Sequence, residues 1–293
     1  MNQTAYYRIQ YFLLLVLLLS TPSYGKLLKP SHNGEKKEIL IINSKRRLYY
    51  SVDSEGVTYT VTGPTRVELI SRYPVPKRTK QRQNFRYLII VDNKDTIKVN
   101  HRYKIQKSIR SVQHPNHSYT FSGNYFINLE EGQHSVELIT ETDQQYPVLL
   151  RVLSKEFDTP GDNSRILIPM VHQRARRVKI ESSEVQYFQG NYTVPLQVNT
   201  TGPKTIRIFS RLEFENWMGE QEVYRLRIRS ENKVIGTYYF NTERSSEAIV
   251  VEQADRVPGK WRTCEILVPK GENTYTVEVV EKDRNVLMRF LEF

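Results

Sequence analysis

Apolar and polar residues alternate along most of this chain with a period of two. In the run Tyr224-Arg225-Leu226-Arg227-Ile228-Arg229 the apolar side chains fall on one side of an extended chain and three arginines on the other. Val277 and Val279 alternate in the same way with Thr276 and Glu278. This pattern predicts strands with one face in a core and one in water. Spacing of three to four residues never persists long enough to predict a helix. Tyr, Thr and Val are abundant, and turn signals recur every 8–12 residues, as expected of β-sandwiches.

The pattern occurs twice. TGPTRVELISR at 62–72 reappears as TGPKTIRIFSR at 201–211, with Thr, Gly, Pro, Ser and Arg identical and three apolar exchanges. EILIINSKRRLYY (38–50) parallels RILIPMVHQRARRVKI (165–180), and FRYLIIVDNK (85–94) parallels YRLRIRSENK (224–233). LEEGQHSVELI (129–139) parallels VPKGENTYTVEVV (268–280), and VLLRVL (148–153) parallels VLMRFL (286–291). Five blocks in one order mark a tandem duplication. The expected architecture is all-β, two tandem β-sandwich modules of jelly-roll or immunoglobulin-like type, at 26–153 and 164–293. The turn-rich segment 154–163 joins them. The glycine-then-strand blocks at 129–139 and 268–280 resemble the late step of carbohydrate-binding jelly-roll modules, and that resemblance favours the jelly roll.

Residues 1–25 fall outside this pattern. Arg8 precedes an apolar run, Phe12–Leu19, and TPSYG supplies small residues at the end. That order is that of a secretory signal peptide, with cleavage expected after Gly25. Eight apolar residues are too few to span a bilayer, which takes about 20. No later segment is apolar enough to span one, so a periplasmic or secreted location is expected. Cys264 is the one cysteine, so no intramolecular disulfide exists and stability must come from burial.

Charge separates the two copies. Of the net +11, the segment 72–110 carries nearly all, with twelve basic residues against two acids, Asp92 and Asp95. The matching segment 211–249 has six bases and seven acids. The basic pole centres on PVPKRTKQRQ (74–83), and the counterpart loop RLEFENWMGEQE (211–222) holds four glutamates and Trp217. Duplicated folds with opposite local charge have diverged in what they touch.

Enzyme signatures are absent: no nucleophile elbow, no paired-histidine zinc motif, no phosphate-cradling glycine loop. Cys264 sits in a strand pattern and is expected to be a buried, inert thiol. His101, His114, His117 and His134 cluster in copy one, but HPNH (114–117) reads as a proline turn without a carboxylate beside it, and no metal or other cofactor is expected. Glu130 and Glu131 are the carboxylates a glycosidase would need, with no evidence of a facing partner. The Arg225–Arg227–Arg229 ladder is expected to be neutralised by cross-strand glutamates such as Glu278. Trp261 aligns with Tyr125 of copy one and is expected in the core. Trp217 has no counterpart in copy one.

The expectation is an exported, non-catalytic binding protein for a glycan or an anionic envelope polymer. Lys77, Arg78, Lys80, Arg82, Arg102, Lys104 and Lys107 would hold the anionic partner, and Trp217 and Tyr73 would stack or anchor. Nucleic acid is not expected after export. The alternative is an envelope assembly protein that docks an acidic protein surface.

Overall fold

The computed structural model describes residues 25–141, 144–155, 164–180, 183–231, 233–253 and 256–293. Of the expected signal peptide only Gly25 is among them, and most of the expected joint, 156–163, lies outside them. The protein is all-β, two tandem β-sandwich modules without a helix among the described residues. Module 1 begins with β1 (Lys26–Leu27), β2 (Lys37–Ile42), β3 (Lys45–Val52), β4 (Val57–Arg72), β5 (Pro74–Pro76) and β6 (Gln83–Val91). It continues with β7 (Asp95–Tyr103), β8 (Ile105–Gln106), β9 (Arg110–Ser111), β10 (His117–Thr120), β11 (Gly123–Ile139) and β12 (Val148–Lys155). Module 2 begins with β13 (Arg165–Leu167), β14 (Arg174–Ile180), β15 (Ser183–Asn191), β16 (Leu196–Phe214) and β17 (Gln221–Ser230). It ends with β18 (Lys233–Glu243), β19 (Ala248–Val250), β20 (Val257–Pro258), β21 (Arg262–Val279) and β22 (Asn285–Glu292).

The main ladders of the two modules correspond, apart from the β5–β10–β8 sheet of module 1 and the β16–β20 pair of module 2. In module 1, β4 pairs with β11 and β12, β11 with β6, β6 with β7, β12 with β1 and β3, β3 with β2, and β2 with β9, all antiparallel. In module 2 the same places are taken by β16 with β21 and β22, β21 with β17, and β17 with β18. β22 then pairs with β13 and β15, β15 with β14, and β14 with β19.

The repeated TGP…SR stretch has a physical reason at each end. β4 is long because it serves two sheets. Before Gly63 it pairs with the C-terminal half of β11, and after Pro64 with the N-terminal half and with β12. Gly63 sits at that corner, where a Cβ would stand 1.6 Å from the Glu130 carbonyl oxygen. At the corner of β16 a Cβ on Gly202 would stand 2.2 Å from the Pro269 carbonyl oxygen. Only glycine allows so close an approach. Both Gly-Pro bonds are cis.

At the far end, the Ser71 hydroxyl donates to the Gly123 carbonyl at 3.0 Å, and the Ser210 hydroxyl to the Arg262 carbonyl at 3.3 Å. Arg72 is buried and donates to the Tyr49 hydroxyl and the Thr120 carbonyl. Arg211 does the same to the Tyr187 hydroxyl and the Gly259 carbonyl. Arg72 is therefore structural and not part of the exposed basic pole.

Each module fills its sandwich with the apolar side of the alternation. Tyr59, Val67, Leu69, Tyr87, Ile89, Val136 and Leu150 meet in module 1. Tyr224, Leu226, Ile228, Val277 and Val279 meet in module 2, as the sequence pattern requires. The modules are joined by strand pairing. Tyr125, Phe126 and Ile127 of β11 pair in parallel with Thr237, Tyr238 and Tyr239 of β18. Side chains alternate across that seam. Tyr125, Ile127 and Tyr239 enter the core of module 1, whereas Phe126 and Tyr238 enter that of module 2, stacked with centroids 4.2 Å apart.

Beside the seam, Arg66 of β4 donates to Glu265 of β21 at 3.2 Å, and Arg207 of β16 donates to the same carboxylate at 2.9 Å. All three side chains are buried. Removing one partner of a buried ionic cluster strands the others without solvent. Glu265→Ala is therefore expected to destabilise the protein by about 3–5 kcal/mol, read from urea denaturation. A loss below about 1 kcal/mol, the range of exposed pairs, would show that the cluster is not sealed.

Candidate functional site

A cleft of about 1000 Å³ lies where the modules meet. Its position follows from the strands. Residues 206, 208, 210 and 212 of β16 face the core of module 2 or are buried beside it, so Arg207 and Phe209 project from the other face. Thr263 lies opposite Phe209 in the ladder with β21. The chain entering β21 places Trp261 over Phe209, with ring centroids 5.9 Å apart. Module 1 contributes the corner at Pro64 and the segment Asn128–Glu130 as the opposite wall.

Trp261 is 55% exposed despite this contact. The expectation that it packs in the core is corrected. Ladder register shows why: Leu69 pairs with Tyr125, and its counterpart Ile208 pairs with Cys264. Cys264, not Trp261, occupies the core position of Tyr125. Trp261 lies three residues earlier, in the loop. The thiol of Cys264 is fully buried and burial raises its pKa, so it is a small core hydrophobe as expected.

The cleft is charge-balanced, with Asp95, Glu130, Glu243 and Glu247 against Arg207, Arg211, Lys260 and Arg262. Arg262 donates to Glu130 across the module junction at 2.8 Å and to the Asn241 carbonyl at 2.7 Å. Lys260 pairs with Glu243. The Asn241 amide donates to Asp95 at 3.2 Å. On the walls an aromatic face stands beside the hydroxyls of Ser245 and Thr263, with the Asn128 and Asn241 amides next to it already donating to the Thr263 carbonyl and to Asp95.

The expected anionic-partner residues are exposed but spread out. Lys77, Arg78, Lys80, Arg82, Arg102, Lys104 and Lys107 are all exposed. A small sheet of β5, β10 and β8 distributes several of them. Lys77 bonds the Asn116 carbonyl through its backbone, and Lys104 accepts from the Phe121 amide at the other end of β10. Lys107 follows β8, and Arg102 lies on β7.

Of the two expected anchors, Trp217 is 59% exposed, with the Arg284 guanidinium 5.0 Å from its ring and its N–H donating to Glu215 at 3.0 Å. Tyr73 is 6% exposed, stacked on Phe85 at 5.6 Å, and its hydroxyl accepts the Tyr146 amide. It belongs to the core, and its ring is not available to stack on a partner.

The remaining candidates are engaged inside the fold. Arg227 and Arg229 reach Glu278 at 3.7 and 2.7 Å, as expected, and Arg225 reaches Glu281 at 2.6 Å. His114 approaches the buried Glu38 at 3.2 Å, His134 approaches Asp92 at 2.8 Å, and His117 stacks on His114. Burial, with Arg227 as a smaller cause, pushes the pKa of His101 down to about 4, so its ring is neutral. Among the described residues no three metal-binding side chains converge.

No family model and no curated protein matches this sequence. Three solved structures similar over nearly the whole chain are reported with low scores. Tandem CBM51 modules of the family 98 glycoside hydrolase of Streptococcus pneumoniae align with a TM-score of 0.25 and 11% identity, over 92% of this chain and 93% of that one. The tandem CBM22-1–CBM22-2 domain of Paenibacillus barcinonensis Xyn10C gives 0.23 and 12%, over 92% and 98%. A complex of the plant peptide RALF23 with FER and LLG2 gives 0.26 and 9%, over 93% and 96%. At these scores the likeness assigns neither family nor activity.

The burial of these aromatics separates them by stability. Trp217→Ala and Trp261→Ala are each expected to change folding free energy by no more than about 0.5 kcal/mol. Tyr73→Ala should cost about 3–5 kcal/mol, the range of large buried aromatics. Chemical denaturation of the three variants reads the difference, and a Trp261 variant as damaged as the Tyr73 variant would refute the placement.

Proposed function

We propose that this chain is an exported, non-catalytic glycan-binding protein whose inter-module cleft holds a neutral sugar on Trp261. The observation that carries this reading is an exposed indole at the mouth of a concave, charge-balanced site rimmed by amides and hydroxyls. Sugars present apolar C–H faces that stack on aromatic rings and hydroxyls that match such groups. The carboxylates best placed for acid–base work are already tied, Glu130 to Arg262 and Glu243 to Lys260, which favours binding over hydrolysis. The basic loop of module 1 and Trp217 of module 2 are secondary contacts in the same reading, for an anionic polymer and for a further sugar or protein. Export is supported by the order of basic, apolar and small residues in 1–25.

A glycan array with the mature protein tests the reading. The two tryptophans are both exposed, so the free protein should emit like water-exposed indole. A bound neutral oligosaccharide should shift that emission to the blue in the wild type and in Trp217→Ala, and leave Trp261→Ala unmoved. An array without neutral hits, or a shift that survives in Trp261→Ala, removes the cleft from consideration. An assembly role has one observation in its favour, the exposed aliphatic series Ile166, Ile168, Met170 and Val171 at the start of module 2. It becomes the better reading if the array is blank.

A further inference from the structure

Equivalent positions in the two modules make opposite uses of one sheet face. In module 2 the ladder pairs Val223 with Asn241 and Arg225 with Tyr239. Val223 and Tyr239 from this ladder pack against the core of module 1. In module 1 the same ladder positions pair Asn84 with Arg102 and Arg86 with Asn100. The two apolar docking residues are thus replaced by amides. Among the described residues no other module covers the face; it lines a second cavity of about 530 Å³ whose floor includes Tyr73, Phe85 and His101.

The electrostatics of this pocket differ from those of the inter-module cleft. The neutral His101 contributes no charge. Arg86 is paired with Glu141 at 2.5 Å, and its backbone N–H and carbonyl are both held by the side-chain amide of Gln144. Arg102 is exposed and has no carboxylate partner among the described residues, and the amides of Asn84 and Asn100 are likewise unbonded among them. The alternation continues past the strand ends. Gln83 pairs with Tyr103, so Arg82 and Lys104 flank the last pair on the side that carries Asn84 and Arg102. Among the described residues no acid belongs to the lining. In module 2 the corresponding end is closed by acids: Glu281 binds Arg225 through both its backbone and side chain, and Glu222 holds Arg284.

We propose that this pocket between β6, β7 and the side chains of Gln144 and Gln145 in module 1 is a second glycan site, selective for a sugar bearing a carboxylate. It rests on the reading of the chain as a glycan-binding protein and adds a site of different chemistry. Arg102 supplies a planar guanidinium fork that matches a carboxylate. Asn84 and Asn100 each offer a donor and an acceptor, the complement of neighbouring sugar hydroxyls. A pocket of this size accommodates one or two rings. Arg82 and Lys104 lie where the acid groups of adjoining residues in a polymer would follow.

The test uses oligosaccharides of galacturonic acid, glucuronic acid and sialic acid, each beside its methyl ester, titrated against the full mature chain. At least one free acid should bind about ten- to hundredfold more tightly than its ester, the usual worth of a hydrogen-bonded charge. Arg102→Gln should erase that preference without moving the thermal midpoint, because Arg102 is exposed. Asn100→Tyr, which places at this position the residue that module 2 carries at 239, should fill the pocket and abolish acid binding. Trp261→Ala should leave acid binding intact. Equal binding of acid and ester, no acid binding, or a preference that survives Arg102→Gln overturns the proposal. So does inorganic phosphate competing as well as the sugar acid, which would make the pocket a simple anion site. A blank acid series with neutral glycans still bound at Trp261 sinks this site alone; blanks in both sink the glycan reading as well.

Discussion

An open sheet edge exposes unpaired backbone N–H and carbonyl groups, and leaving such groups without partners is costly in a buried setting. β11 of module 1 meets this constraint by pairing in parallel with β18 of module 2. Parallel neighbours are rare in a fold built otherwise from antiparallel ladders. This pairing sets everything that lies across the junction. It determines which side chains cross into the neighbouring core, and Phe126 does so only because Gly236 has no side chain: a Cβ there would stand 2.4 Å from the Phe126 ring. It brings Glu130 to Arg262 and Asp95 to Asn241. The cleft with Trp261 is the space left once those contacts are made.

The same pairing explains the buried charges. Closing two polar sheet faces against each other traps Arg66 and Arg207, and two desolvated guanidiniums need a shared anion. Glu265 serves both. A buried ionic cluster of this kind is a poor source of stability compared with apolar packing. It is strongly directional, however, and allows only one relative placement of β4, β16 and β21. Apolar contacts such as Phe126 on Tyr238 supply the affinity between modules, and the cluster supplies the register.

Sequence periodicity is sufficient for the duplication and the strand faces, because these are local properties. Tyr224, Leu226 and Ile228 are buried where the alternation places them. The Gly-Pro pairs read locally as strand breaks, yet β4 and β16 each run through theirs as one strand that turns from one sheet to the other. Properties that depend on contacts distant in sequence were not legible. Arg72 resembles any other basic residue of its segment until Tyr49 and Thr120 surround it. Tyr73 lies one residue before the basic loop yet stacks on Phe85. An alignment of aromatic with aromatic places Trp261 in the core, where it is not. Only ladder register, which counts backbone pairs rather than residue types, shows that Tyr125 corresponds to Cys264. The cleft itself is lined from both modules and has no local signature at all.

Register also accounts for a limit on the repeat. In a longer array, the N-terminal half of β21 would do for a third module what β11 does for the second. The residues equivalent to Tyr125, Phe126 and Ile127 are Cys264, Glu265 and Ile266. Their edge is already closed by side chains. The Asn128 amide donates to the Thr263 carbonyl at 2.8 Å, and the Tyr238 hydroxyl donates to the Glu265 carbonyl at 2.7 Å. Glu265 is moreover committed to two arginines. A third module paired in the same way would have to displace all of these at once. The junction that joins the two modules therefore also consumes this equivalent edge. The β6–β7 face of module 1 is equivalent to the face through which module 2 docks. That face lacks the apolar complementarity of a docking surface: the amides of Asn84 and Asn100 stand where module 2 has Val223 and Tyr239.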